Sequence, residues 1–180
     1  MARPVNKKIT VAGSAACAAD PPNLGPLHEI WQLGGSRNLP LHLVLVAKLI
    51  DRYLAGLLAG HANLSLAEWR VVAQLSMLKQ STVRKMARQA CVDPAEVSRS
   101  AAALVKRGLV KREENEKDRR FPQFSLTARG AAEFAKFRPH WETLSRTLLE
   151  RLDANEVAAF ERGLARFARA CLDLLGEGTR

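Results

Sequence analysis

The sequence predicts a mainly α-helical chain with a small β-hairpin wing, a winged helix-turn-helix head carried by dimerisation helices from both termini. Three observations lead there. The stretch DPAEVSRSAAALVKRG at 93–108 has sharp helix signals at both ends and two chemically different faces. The basic excess of the chain is concentrated on that stretch and on the hairpin that follows it. The flanking helical segments carry more apolar surface than a chain of this length covers by itself.

Residues 1–37 are rich in Ala, Pro and Gly with little periodicity before LHEIWQL, so a flexible N-terminal arm is expected. Leu27, Ile30, Trp31 and Leu33 can form a short docking turn anchored by Trp31. Residues 38–62 form an N-terminal dimerisation helix, running from Asn38 to about Gly60 with Pro40 tolerated in its first turn. It is apolar nearly all round, from Leu41, Leu43 and Val44 to Leu57 and Leu58, and a partner subunit is the expected cover.

The DNA-binding domain spans 63–127. Ser65 and Glu68 form a capping box that opens a helix from Leu66 to about Leu78, with Trp69, Val72, Leu75 and Leu78 as its inward stripe. Ser81 is expected to start a shorter helix, STVRKMARQA, with Val83, Met86 and Ala87 inward and Arg84, Lys85 and Arg88 outward. The next helix has Asp93 as N-cap, Pro94 at its first position, Glu96 placed to close a capping box, and Gly108 as its stop. Val97, Ala101, Leu104 and Val105 are its buried stripe. The opposite face holds Ala95, Ser98, Arg99, Ala102 and Lys106, where small residues allow close approach to base edges and Ser and Arg supply donors of the kind used in a major groove. Two helices joined by a tight turn, the second reading DNA, is helix-turn-helix geometry. Leu109 to Arg112 reads as a strand, ENEKD as a loop, and Phe121 to Leu126 as the returning strand. Asp118, Arg119 and Arg120 lie near the hairpin tip, where an Arg can enter a minor groove while the Asp positions it. The alternative is a solvated β-turn.

Residues 128–180 are expected to form C-terminal dimerisation helices. Thr127 caps a long one that Pro139 should kink or split. Asp153 and Glu156 form a third capping box, and Val157, Phe160, Leu164, Phe167, Cys171 and Leu174 recur at roughly heptad spacing before Gly176.

The formal net charge is +10. Residues 79–120 hold 12 basic and 6 acidic groups, whereas residues 130–180 hold 8 of each. A polyanion-facing head and a neutral assembly face account for that separation. The three cysteines have no metal-ligand spacing, and their odd number argues against a disulfide framework. Cys91 and Cys171 occupy apolar slots and are expected to be buried and inert, and Cys17 lies in the arm without a group to lower its pKa. No P-loop, HExxH, GxSxG or dinucleotide fingerprint is present, so neither an enzyme nor a cofactor is expected. Lys48, Asp51 and Arg52 interrupt the greasy stretch from Leu39, and no apolar segment follows the basic N-terminus. A cytoplasmic protein without a membrane partner is the expectation.

LSLAEWRVVAQL at 64–75, AEVSRSAAALVKRGLVKR at 95–112 and DRRFPQFSLTARG at 118–130 together resemble the MarR family of bacterial transcription regulators, over about residues 39–175. The resemblance implies a winged-helix homodimer that binds a palindromic operator in double-stranded DNA, mostly as a repressor, and is released by a small aromatic ligand. It assigns base and phosphate contacts to Ser98 and Arg99, the minor-groove Arg to Arg120 or Arg119, and its positioning acid to Asp118. Arg84, Lys85 and Lys106 join them as candidate DNA contacts. It places the effector near the junction of dimer and DNA-binding regions, in a crevice to which His42, Arg52, His61, Trp69 and Arg70 are the candidate lining. An aromatic carboxylate suits that set, because Arg pairs with carboxylates and Trp offers a stacking face. A core role for Trp69 with surface histidines is the alternative. Two other functions remain open, an architectural DNA-binding protein without sequence choice and a thiol-based redox regulator.

Overall fold

The computed structural model describes residues 24–33, 35–114 and 120–176. The chain divides into two units, residues 1–48 and 49–180.

In the first unit a 3-10 turn at Gly25–Leu27 leads into α1 (His28–Gln32), and a second turn at Gly35–Asn38 leads into α2 (Leu39–His61), whose first turns belong to this unit. Trp31 stacks on His42, with ring centroids 4.0 Å apart and planes 7° from parallel. The expected docking of Trp31 is therefore on this subunit's own α2. His42 is 7% exposed and its Nε2 has no hydrogen-bond partner among the described residues. The rest of the expected arm, with Cys17, lies outside the described residues.

In the second unit the later turns of α2 are followed by α3 (Leu66–Leu78), β1 (Gln80–Thr82), α4 (Val83–Ala90), α5 (Pro94–Lys106), β2 (Val110–Glu113), β3 (Gln123–Leu126), α6 (Ala128–Leu149) and α7 (Ala154–Leu174). Caps set most helix starts. Ser65 Oγ accepts from the Glu68 amide while the Glu68 carboxylate accepts from the Ser65 amide, and Asp153 with Glu156 repeats the arrangement. Two expectations change here. Ser81 does not open α4: it is buried in β1, opposite Phe124 of β3, and Thr82 is the cap. Glu96 does not close a box on α5, because Asp93 caps the Ala95 amide through its own carboxylate at 2.9 Å and no bond from Glu96 to Asp93's amide forms.

The sheet has the order β1-β3-β2, antiparallel throughout. Lys79, with φ +65°, turns the chain from α3 into β1. At the end of α5, Gly108 takes φ +70°, its amide bonding Val105 O and the Leu109 amide bonding Leu104 O, so that the chain leaves straight into β2. Trp69, Val72, Leu75, Met86, Ala101, Leu104, Val110, Phe124 and Phe137 form one core with Leu58 of α2. The start of α6 is clamped to the hairpin: Thr127 Oγ1 donates to Gly108 O and accepts from the Gly130 amide. A Cβ on Gly130 would lie 1.9 Å from Leu109 O.

Pro139 does not split α6, which is one helix over Ala128–Leu149. Packing on both sides of the proline holds it together, Phe137 against Trp69 and His140 against His61. Along α7 the expected stripe is present but open: Phe160, Leu164, Phe167 and Leu174 are exposed. Cys91 and Cys171 are exposed rather than buried. Cys91 sits at the left-handed corner after α4, which turns its side chain outward, and Cys171 shares the open stripe of α7. No helix among the described residues is long and apolar enough to cross a membrane.

Candidate nucleic-acid interface

The two helices of the head are joined by a three-residue corner. Cys91 ends α4 with φ +52°, the Val92 amide bonds back to Ala87 O at 3.1 Å, and extended Asp93 starts α5. The corner aims α5 outward. Val97, Ser100, Ala101 and Leu104 are buried against α3 and α4, while Ala95, Ser98, Arg99, Ala102 and Lys106 are all exposed. The outward face is the expected one; of the expected buried stripe Val97, Ala101 and Leu104 are buried and Ser100 joins them, whereas Val105 is only half-buried and faces the wing.

Neutralised and uncompensated cations separate on this surface. Arg107, at the end of α5, lies 3.4 Å from Glu68 of α3. Lys111 Nζ is 2.8 Å from Glu113 Oε1, and this hydrogen bond holds the Glu113 carboxyl below its usual range. Arg84, Arg99, Lys106 and Arg112 have no acidic partner among the described residues. Arg84, Lys106 and Arg112 instead line, with Ser98 and Ala102, a cleft of about 470 Å³ between α5 and the wing. Its apolar walls come from Val83, Val105, Phe121, Pro122 and Phe124. Lys85 is exposed on α4 but does not line the cleft. Arg112 and the aromatic wall of Phe121 were missed by sequence reasoning. The strand alternation around Arg112 was the available signal: it puts that side chain on the same face as Val110, and pairing of β2 with β3 then sets it opposite Phe124, which lines the same cleft. Arg120 is exposed with its guanidinium carbon 5.8 Å from the centroid of the Phe121 ring. Asp118 and Arg119 lie outside the described residues.

The effector candidates are distributed differently. His42 is buried in the first unit against Trp31. Arg52 is exposed. Trp69 is core: Phe134 stacks on it at 5.3 Å and Phe137 meets it edge-on at 4.5 Å, so the expected open stacking face is corrected to a buried one. Phe137 continues through His140 to His61, giving a chain of rings between α3, α6 and the end of α2. Arg70 is held by Asp51 of α2, its Nη2 lying 2.8 Å from Oδ1 and 3.0 Å from Oδ2. Among the described residues no three His, Cys, Asp or Glu side chains converge as a metal site.

A sequence model described as the MarR family matches residues 64–121, from the cap of α3 to the start of the returning wing. No curated protein matches the chain. Among solved structures, the apo form of wild-type MarR from E. coli is 26% identical with a TM-score of 0.59, the match covering 72% of this chain and 95% of that one. A mutant MarR from E. coli complexed with operator DNA is 25% identical with a TM-score of 0.62, covering 79% and 98%. A MarR family transcriptional regulator from Silicibacter pomeroyi DSS is 23% identical with a TM-score of 0.70, covering 78% and 97%. The head of the chain is thus matched by the sequence model of the MarR family, and its winged fold is shared along nearly the whole length of these MarR structures.

Proposed function

We propose that the chain is a homodimeric repressor that reads a palindromic operator in double-stranded DNA and leaves it when a small aromatic carboxylate binds. One observation carries the DNA reading: α5 projects a small-residue face with Ser98, Arg99 and Lys106 beside the wing, Arg120 is exposed just before β3, and the neighbouring cations Arg84 and Arg112 lack acidic partners among the described residues. In a major groove, Ala95 and Ala102 let the helix approach, Arg99 reaches guanine O6 and N7, and Ser98 bonds a base or a phosphate. Arg120, with Asp118 and Arg119 beside it in the sequence, goes to the minor groove. Lys85 contacts the backbone. The E. coli relative solved with operator DNA supports this docking.

Exposed apolar side chains support the dimer. Leu39, Leu41 and Val44 of α2, and Phe160, Leu164 and Phe167 of α7, lie open on their own helices. Runs of this kind mark association surfaces. Arg70 supports the effector: Asp51 engages only its Nη2, and its side chain is 38% exposed, so donors remain for a second carboxylate. His61 and Arg52 lie in the same unit as Arg70 and remain candidates with it.

Selection of duplexes from a random pool, followed by titration with benzoate, tests the whole reading. The expected result is a palindromic consensus bound by a dimer in sedimentation and released by the acid. Equal affinity for every duplex would leave an architectural protein instead.

A further inference from the structure

On α2, Asp51, Leu54 and Leu58 fall at i, i+3 and i+7 and share one face. Leu54 and Leu58 are buried, and Leu58 belongs to the same core as Trp69 and Val72 of α3. Leu49 and Tyr53 of the same helix are exposed. Asp51 therefore extends the buried stripe by one turn, to the point where it meets Arg70 of α3. Apolar contact alone is non-directional and permits rotation and sliding of one helix on another. A charge-assisted bond at the end of the stripe fixes both. Two residues away on α3, Glu68 holds Arg107 at the end of the recognition helix. These positions, i and i+2, project from different sides of α3, one toward α2 and the other toward α5.

We infer that Asp51 and Arg70 are positioning residues for DNA recognition, fixing the angle of the reading head on α2 and hence the separation of the two recognition helices in a dimer. The inference rests on the dimeric reading proposed above. Two heads dock together only when their separation matches half-sites about 34 Å apart. An ion pair at the helix junction acts at the short end of a lever whose long end is α5. Glu68 and Arg107 carry the constraint across α3, and Asp51 with Arg70 carries it to α2.

The test uses the full chain, the duplex that the wild type selects from a random pool, versions of it lengthened or shortened at the centre by one or two base pairs, and a single half-site. Wild type should lose tenfold or more on each altered spacing. Asp51→Asn and Arg70→Gln should each weaken the selected duplex by about fivefold or more, flatten the spacing profile, and leave the half-site affinity unchanged. Reversal of the pair, Asp51→Arg with Arg70→Asp, should restore the spacing preference, and it serves where a single variant fails to fold. A merely structural role would move the unfolding midpoint and the half-site affinity together, without a selective change in spacing. Single variants that keep the wild-type profile, or a reversed pair that does not recover it, overturn the inference. A wild type indifferent to spacing would overturn the dimeric reading itself, and the inference with it.

Discussion

Adding one methyl group at Gly130 should be among the most damaging small changes available to this chain. The Cβ of Gly130→Ala would sit 1.9 Å from Leu109 O, 2.9 Å from Leu109 C and 3.3 Å from Leu109 Cα. To reach an ordinary carbon–oxygen contact the first turn of α6 must retreat from β2 by about 1.3 Å or more. That carbonyl accepts from the Thr127 amide at 3.0 Å and from Thr127 Oγ1 at 3.2 Å, and Thr127 also caps α6 through the Gly130 amide. Retreat therefore strains or breaks a cap and two bonds, each contributing about 1 kcal/mol. The better helix propensity of Ala offsets about 1 kcal/mol of the loss. A net destabilisation of about 2–4 kcal/mol is expected, seen as a lower urea midpoint with an unchanged slope. Gly163→Ala in α7 is the matched control, because nothing lies within 4 Å of its Cβ; it should gain about 0.5–1 kcal/mol. If Gly130→Ala unfolds within about 0.5 kcal/mol of wild type, the clamp between Leu109, Thr127 and α6 is not the constraint described.

Three further outcomes are expected. Arg99→Ala should cost about 1–3 kcal/mol on the selected duplex and relax specificity at one base position, whereas Arg120→Ala should weaken all duplexes more evenly; titration against selected and scrambled DNA separates them. Cys91→Gly should stabilise the chain by about 0.5–1 kcal/mol, because Cys91 holds a left-handed backbone that costs an L residue about 1–2 kcal/mol and glycine little. A lower melting point would contradict that account. His42→Phe should be neutral or stabilising by about 1 kcal/mol, since it keeps a flat ring on Trp31 and removes a buried nitrogen without a partner among the described residues. Thermal unfolding with tryptophan fluorescence measures both the stability and the stack, and a loss above about 1 kcal/mol would show that Nε2 has a role.

Much of this protein is written within a few residues of where it acts. Ser65 and Glu68, Asp153 and Glu156, Thr127, and Gly108 set helix ends because a cap joins atoms three or four positions apart, so side-chain type and spacing suffice to find it. The two faces of α5 follow from helical period for the same reason. Where local signals competed, they could be misread: Ser81 and Thr82 are both good caps, and pairing of Ser81 with Phe124, 43 positions later, decided between them. Tertiary structure alone decided that Trp69 is walled in by Phe134 and Phe137, that Arg70 already holds the carboxylate of Asp51, that Arg112 joins the cleft beside the recognition helix, and that Gly130 must lack a side chain. Each of these depends on atoms brought together from distant positions by burial of the shared core, and burial, being non-directional, leaves no spacing in the sequence from which the partner can be read.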